Sequence, residues 1–226
     1  MELDLINGIE LLVGREENYL QVNDAPEEGL SSILTHLSEN YPGFQAMFCY
    51  HNTTAPAEFL DKIGAELLDD ATQMCLTQSE LGYALKQDSS IIPSNDDKSF
   101  DIQLVDQTNF DAFAAFHDAS NPDMYWTSRR IREKIEMWRI HIYLHENEIA
   151  GYIMLMNDFE IFCVAASENI HSKRLMAVAT ADAFARGGEQ VLCMIAKSDE
   201  INLVAAKEIG FAECGFYQGY QMVIEK

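Results

Sequence analysis

The chain predicts an α/β fold with a mixed sheet. Apolar stretches too short for helices alternate with stretches whose apolar residues recur at helical spacing, and glycines stand at the junctions. The clearest run is 169–211. Leu175, Met176, Ala179, Ala183 and Phe184 lie at the spacing of an amphipathic helix, which Gly187 and Gly188 end. The run Gln190–Ala196 reads as a strand buried on both faces, because it is apolar without alternation and too short to be a helix. Ser198 and Asp199 then offer side-chain oxygens to cap a second helix, which stops at Gly210.

The remaining elements follow from changes of period. Strands are expected over 9–13 and 19–22 around the polar turn Arg15-Glu16-Glu17-Asn18, whose residues are not those of a favoured hairpin turn. Pro26, Glu27 and Glu28 open a helix along which Leu30, Ile33, Leu34 and Leu37 share a face, and Pro42-Gly43 closes it. A strand over 44–50, a helix from Ala55 to Gly64 and a strand over 71–77 complete the first half. The polar, aperiodic stretch 87–98 reads as a linker between domains at 1–86 and 99–226. Beyond it come a strand over 100–105, helices over 109–117 and 128–138, and a loop holding Tyr125 and Trp126. A three-strand meander over 140–144, 149–156 and 160–165 leads into the run at 169, and a last strand or hairpin covers 211–224.

Composition bounds the partners. Thirty-seven acidic against fifteen basic residues give a formal net charge of -22, which disfavours nucleic acid and anionic membrane surfaces. No apolar run approaches the roughly 20 residues of a membrane span, and Met1-Glu2-Leu3-Asp4 lacks a secretory signal, so a cytoplasmic protein is expected. The five cysteines form no CxxC motif and read as reduced packing residues. The six histidines show no metal-ligand spacing on a clear helix, so no metal is expected.

Helix, glycine, buried strand, helix and the segment Ala205-Ala206-Lys207-Glu208-Ile209-Gly210-Phe211 resemble the back half of the GNAT superfamily of N-acetyltransferases. The resemblance lies in order and spacing, and covers one whole GNAT domain over 100–226. The first half repeats part of the same order: Gly43, the strand at 44–50 and Gly64 correspond to Gly188, the strand at 190–196 and Gly210, with a period too long for a solenoid. It therefore resembles a degenerate GNAT half-domain, although helix-strand-helix order also recurs by chance in α/β proteins.

The resemblance implies an acyl-CoA N-acyltransferase that carries acetyl from acetyl-CoA to a primary amine, of a small molecule or a peptide, by direct attack. It implies no metal, and a homodimer is allowed for. The strand carrying Cys163, Val164 and Ala165 would pair with the thioester's pantetheine arm, and Asn202 would border it. The N-terminus of the next helix, with Ile170, His171, Ser172, Lys173 and Arg174, would receive the diphosphate, since unpaired N–H groups and the helix dipole favour anions. The family's glycine-rich motif is missing there, so a merely structural helix start is the alternative. Ala206 replaces the tyrosine that protonates the leaving thiolate in many members. Tyr217 and Tyr220 are then candidate acids if the last hairpin turns them inward, Tyr217 foremost, and otherwise strand packing residues. Glu160 is a candidate base or a solvated carboxylate. Tyr125 and Trp126 would wall an acceptor pocket or pack a helix start. Five basic residues, Arg129, Arg130, Arg132, Lys134 and Arg139, read as a solvated face paired with Glu133 and Glu136, or as a lure for an anionic partner. Lost glycines and the missing tyrosine also fit a second reading, a non-catalytic CoA-binding or interaction module.

Overall fold

The computed structural model describes residues 2–6, 8–87, 101–122 and 124–225, which form two compact units. Unit 1 comprises Met1–Thr72 and Gly215–Lys226, and unit 2 comprises Gln73–Cys214. This differs from the predicted boundaries. Residues 217–223 form a ladder with the strand at Gln45–His51, and Tyr220 and Ile224 join the core of the first half. Met74, Leu76 and Leu81 join the core of the second instead. Backbone pairing and core burial outweigh sequence order in deciding which unit a segment completes. The predicted linker, apart from Gln87, lies outside the described residues.

In unit 1, strands β1 (Glu2–Ile6), β2 (Ile9–Gly14) and β3 (Tyr19–Asn23) form an antiparallel meander. Helix α1 (Glu27–Asn40) follows, with two glutamates in its first turn and Leu30, Ile33 and Leu37 buried, as its periodicity predicts. Strand β4 (Gln45–His51) runs parallel to β3, paired from Tyr19↔Gln45 to Asn23↔Cys49. Helix α2 (Ala57–Lys62) leads to β5 (Glu66–Thr77), and the end of β11 (Ala212–Val223) pairs antiparallel with β4. The core alternates as half-buried strands must: Leu11 and Val13 on β2 and Leu20 and Val22 on β3 are all buried, each worth about 1.5–3 kcal/mol in water removal.

Unit 2 continues from β5 through α3 (Gln78–Gln87), β6 (Asp101–Leu104), α4 (Phe110–Ser120), α5 (Ser128–Glu133) and a 3₁₀ turn at Ile135–Met137. The meander β7 (Trp138–His145), β8 (Glu148–Met156) and β9 (Glu160–Ala166) is followed by α6 (Asn169–Ala185), β10 (Gln190–Ala196) and α7 (Glu200–Glu208). Its strands lie in the order β5-β10-β9-β8-β7-β6. One face carries a core around Ile153, Leu155 and α6, and the other a core of Phe113, Ile131, Trp138 and Tyr152.

Of the strand or hairpin expected over 211–224, the structure has a single strand. It corrects three other expectations. The helix predicted over 128–138 stops at Glu133, because Trp138 pairs with Met156 and opens β7. Strand β1 and helix α3 are additional elements. Helix α6 is not amphipathic: every residue from Ser172 to Ala177 is buried, because strands and other helices pack around it.

Candidate functional site

Strands β9 and β10 of unit 2 pair in parallel at only two positions, Leu192↔Glu160 and Cys193↔Ile161. Beyond them β9 remains on β8 as far as Ala166↔Gly151 and has left β10. The departure starts at a β-bulge: Met154 faces Cys163 and Leu155 faces Ile161, so Phe162 is the extra residue. The wedge between the strands holds a cavity of about 170 Å³, lined by residues 161–164 of β9 and 193–196 of β10, with Met176 of α6, Asn202 of α7 and Asp199 just before α7.

Asn202 fastens one side of this wedge. Asp199 caps α7, accepting from Asn202 N at 3.1 Å and from Asn202 Nδ2 at 2.6 Å. Nδ2 also donates to the Val164 carbonyl at 3.3 Å, and Ser172 Oγ donates to Asn202 Oδ1. Helix α6 begins at Asn169, and the Glu168 carbonyl accepts from His171 N and Ser172 N, both at 3.1 Å. Among the described residues, no group of three or more His, Cys, Asp or Glu side chains is gathered as a metal site.

By sequence, no protein-family model and no curated protein matches the chain. Solved structures do match it over nearly its whole length. A GCN5-related N-acetyltransferase from Sphaerobacter thermophilus is similar at TM-score 0.64 and 14% identity, covering 96% of this chain and 76% of that one. A GCN5-related N-acetyltransferase from Kribbella flavida gives TM-score 0.64 at 12% identity, covering 97% and 88%. A tandem GNAT protein from the clavulanic acid biosynthesis pathway gives 0.62 at 10%, covering 96% and 79%. The fold is that of the GNAT N-acetyltransferases.

The GNAT fold puts some of the predicted site residues of unit 2 around one opening. Cys163 and Val164 line the wedge, Ala165 is the next residue of the same strand, and Asn202 closes its side. Glu160 stands at the closed end, one residue before the lining starts, with its N–H donating to Asp158 Oδ1 at 3.2 Å. Ile170 and His171 sit in the first turn of α6, where the His171 ring lies tilted 4.4 Å from that of Tyr143 and burial lowers its pKa. Ser172, Lys173 and Arg174 follow in the helix and are buried. Lys173 Nζ is held 3.4 Å from Glu208, so its charge is already matched. A thioester's extended arm fits the unpaired stretch of β9. The start of α6 fits a diphosphate less well, having no glycine, an inward-facing lysine and the Glu168 carboxylate beside its first turn.

Tyr217 belongs to unit 1, not to the unit that holds the wedge. Its hydroxyl lies 3.2 Å from Cys49 Sγ and its ring 5.1 Å from His51, and burial raises its pKa. Tyr220 is in the core of unit 1, and Ala206 in that of unit 2. Three of the five basic residues pair with acids: Arg129 is 3.0 Å from Glu133, Arg132 bonds Asp111 and Arg139 bonds Asp182.

Tyr125 and Trp126 connect to the wedge through other rings. The Arg130 guanidinium lies 4.0 Å over Tyr125, Tyr125 meets Trp126 at 5.5 Å, Trp126 meets Trp138 at 5.1 Å and Trp138 meets the bulge residue Phe162 at 5.4 Å. Next to this line is a buried polar network that the sequence reading did not single out. Tyr152 Oη lies 2.7 Å from His117 Nδ1, accepts from Asn121 Nδ2 at 2.8 Å and lies 3.5 Å from Cys163 Sγ. His117 and Tyr152 are fully buried, and burial pushes the Cys163 thiol and the Tyr152 phenol above their usual pKa ranges. The only sequence signal was a histidine on the apolar face of α4, in step with Phe110 and Phe113.

Proposed function

We propose that the chain is a cytoplasmic N-acetyltransferase that moves an acetyl group from acetyl-CoA to a primary amine by direct attack. The supporting observation is the wedge beside Cys163 and Val164 in a GNAT fold. An arm laid along β9 there would complete the strand's unpaired edge, as an added strand does. The amine would approach from the side of Phe162 and Trp138, with Tyr125 and Trp126 walling the approach. Glu160, at the closed end, is the proposed carboxylate for drawing off the ammonium proton.

The same reading makes unit 1 a degenerate GNAT half. Its elements β1-β2-β3-α1-β4-α2 follow the order of β7-β8-β9-α6-β10-α7, with the same antiparallel and parallel pairings. Strands β3 and β4, however, are zipped along five consecutive pairs and leave no wedge.

Thermal unfolding with acetyl-CoA, followed by thiol release with glycine, spermidine, tyramine and a short peptide as acceptors, tests the proposal. Ligand at a hundred times its Kd should add about 2.7 kcal/mol of stability, and at least one amine should release thiol. Properly folded protein that gives neither response defeats it. The sequestered Lys173 and the alanine at 206 favour a second reading, a CoA-binding or interaction module without turnover, and stabilisation with no thiol release would establish that one.

A further inference from the structure

A thiol, a phenol and an imidazole are joined in line beside the wedge. Cys163 belongs to the wedge wall on β9, Tyr152 comes from β8 and His117 from α4. The hydrogen positions follow from the partners. His117 Nε2 lies 2.7 Å from the Trp126 carbonyl, which only accepts, so Nε2 carries a hydrogen. In the neutral ring Nδ1 is then the acceptor, and the Tyr152 hydroxyl donates to it. That hydroxyl's hydrogen is therefore engaged, and Asn121 already donates to the same oxygen, so the bond with Cys163 runs from S–H to Oη. The chain of donors leads from the wedge wall inward to a buried base. Anchoring the loop at Trp126 accounts for the bond between His117 and Trp126. It does not account for a line that ends on a thiol in the wedge wall.

We propose, resting on the acetyltransferase reading, that Cys163, Tyr152 and His117 form one proton relay that both receives the amine's proton and returns it to the leaving thiolate. As the nitrogen bonds to the acetyl carbon, its proton passes to Cys163 Sγ. The Cys163 proton passes to Tyr152 Oη, and the Tyr152 proton to His117 Nδ1. When the bond from carbon to the CoA sulfur breaks, the electron pair leaves on sulfur and the shifts reverse: His117 to Tyr152, Tyr152 to Cys163, Cys163 to the CoA sulfur. One proton has moved from nitrogen to sulfur, nothing is oxidised, and no bond forms between the acetyl group and the protein. The relay supplies what the alanine at 206 cannot. Cys163 is the catalytic member; Tyr152 and His117 act through it as positioning residues.

The test compares Cys163→Ala, Cys163→Ser and Tyr152→Phe with the unaltered chain, using acetyl-CoA and the fastest of the acceptors named above. Cys163→Ala and Tyr152→Phe should each lower kcat by about 10²-fold or more, the size of a lost acid-base group, with KM for acetyl-CoA unchanged. Cys163→Ser, which keeps a group able to both accept and donate a proton, should recover much of the loss. The relay is overturned if Tyr152→Phe keeps full kcat, if the serine variant is as slow as the alanine one, or if acetyl is trapped on Cys163 as a thioester. Should Tyr152→Phe fail to fold, the alanine and serine pair decides. Failure of the relay alone leaves the unaltered chain active, whereas failure of the acetyltransferase reading leaves that chain itself inactive and removes the relay with it.

Discussion

His141 is held on β7 at 6% exposure, with Asp182 3.9 Å away and Arg139 and Arg186 sharing that carboxylate. Burial lowers its pKa from the ordinary 6.5, outweighing the pull of Asp182, and the two arginines lower it further. The unfolded chain then binds this proton more readily than the folded one. Stability from this site is complete above about 6.5 and lost as the pH falls below it toward the folded value. Urea midpoints measured on both sides of that pH should fall on acidification, and His141→Leu should flatten the fall. An unchanged slope in the variant would remove the assignment. Residue types were readable at this scale, but their surroundings were not. Ser172, Lys173 and Arg174 are the right chemistry for a diphosphate, yet α6 starts at Asn169 and its packing buries all three.

Among elements, the wedge depends on where β9 is held and where it is released. Gly151 pairs with Ala166 at one end of the ladder between β8 and β9: a Cβ there would lie 2.7 Å from the Ala165 carbonyl and 3.4 Å from Leu175. Gly151→Ala must push β9 off β8 beside the wedge. It should cost about 1–3 kcal/mol, the range for overpacking, and weaken acetyl-CoA stabilisation with it. A variant as stable as the parent by denaturant titration would contradict this account. Most elements were legible from period and punctuation, including both helices that flank β10. Helix α3 was legible too and went unread: Thr77-Gln78-Ser79-Glu80 is a capping box, and Thr77 N and Oγ1 both donate to Glu80 Oε2, at 2.7 and 2.6 Å. That the strand carrying Cys163 would be free to pair with a thioester's arm was expected only through the family resemblance, because a two-position ladder and a five-position ladder look alike as apolar runs.

For the molecule as a whole, the chain's last residues complete the unit with which its first residues begin. Residues 217–223 pair with β4, and Tyr220 and Ile224 fill the core around Phe48 and Leu37. A chain ending at Cys214 should therefore lose amide protection along β4 and in α1, read by hydrogen exchange, while the amides of β7 and β8 stay protected. Retained protection in β4 would show that unit 1 stands without that strand. The amino-acid sequence alone determined the order of elements, most of their bounds, the acidic surface and the resemblance to one fold, since these follow from local periodicity and composition. Tertiary structure decided which unit each end joins, that Tyr217 belongs to unit 1, and that Cys163, Tyr152 and His117 meet. Those outcomes depend on strand register and on burial, and residues far apart in the chain acquire both only when they pack.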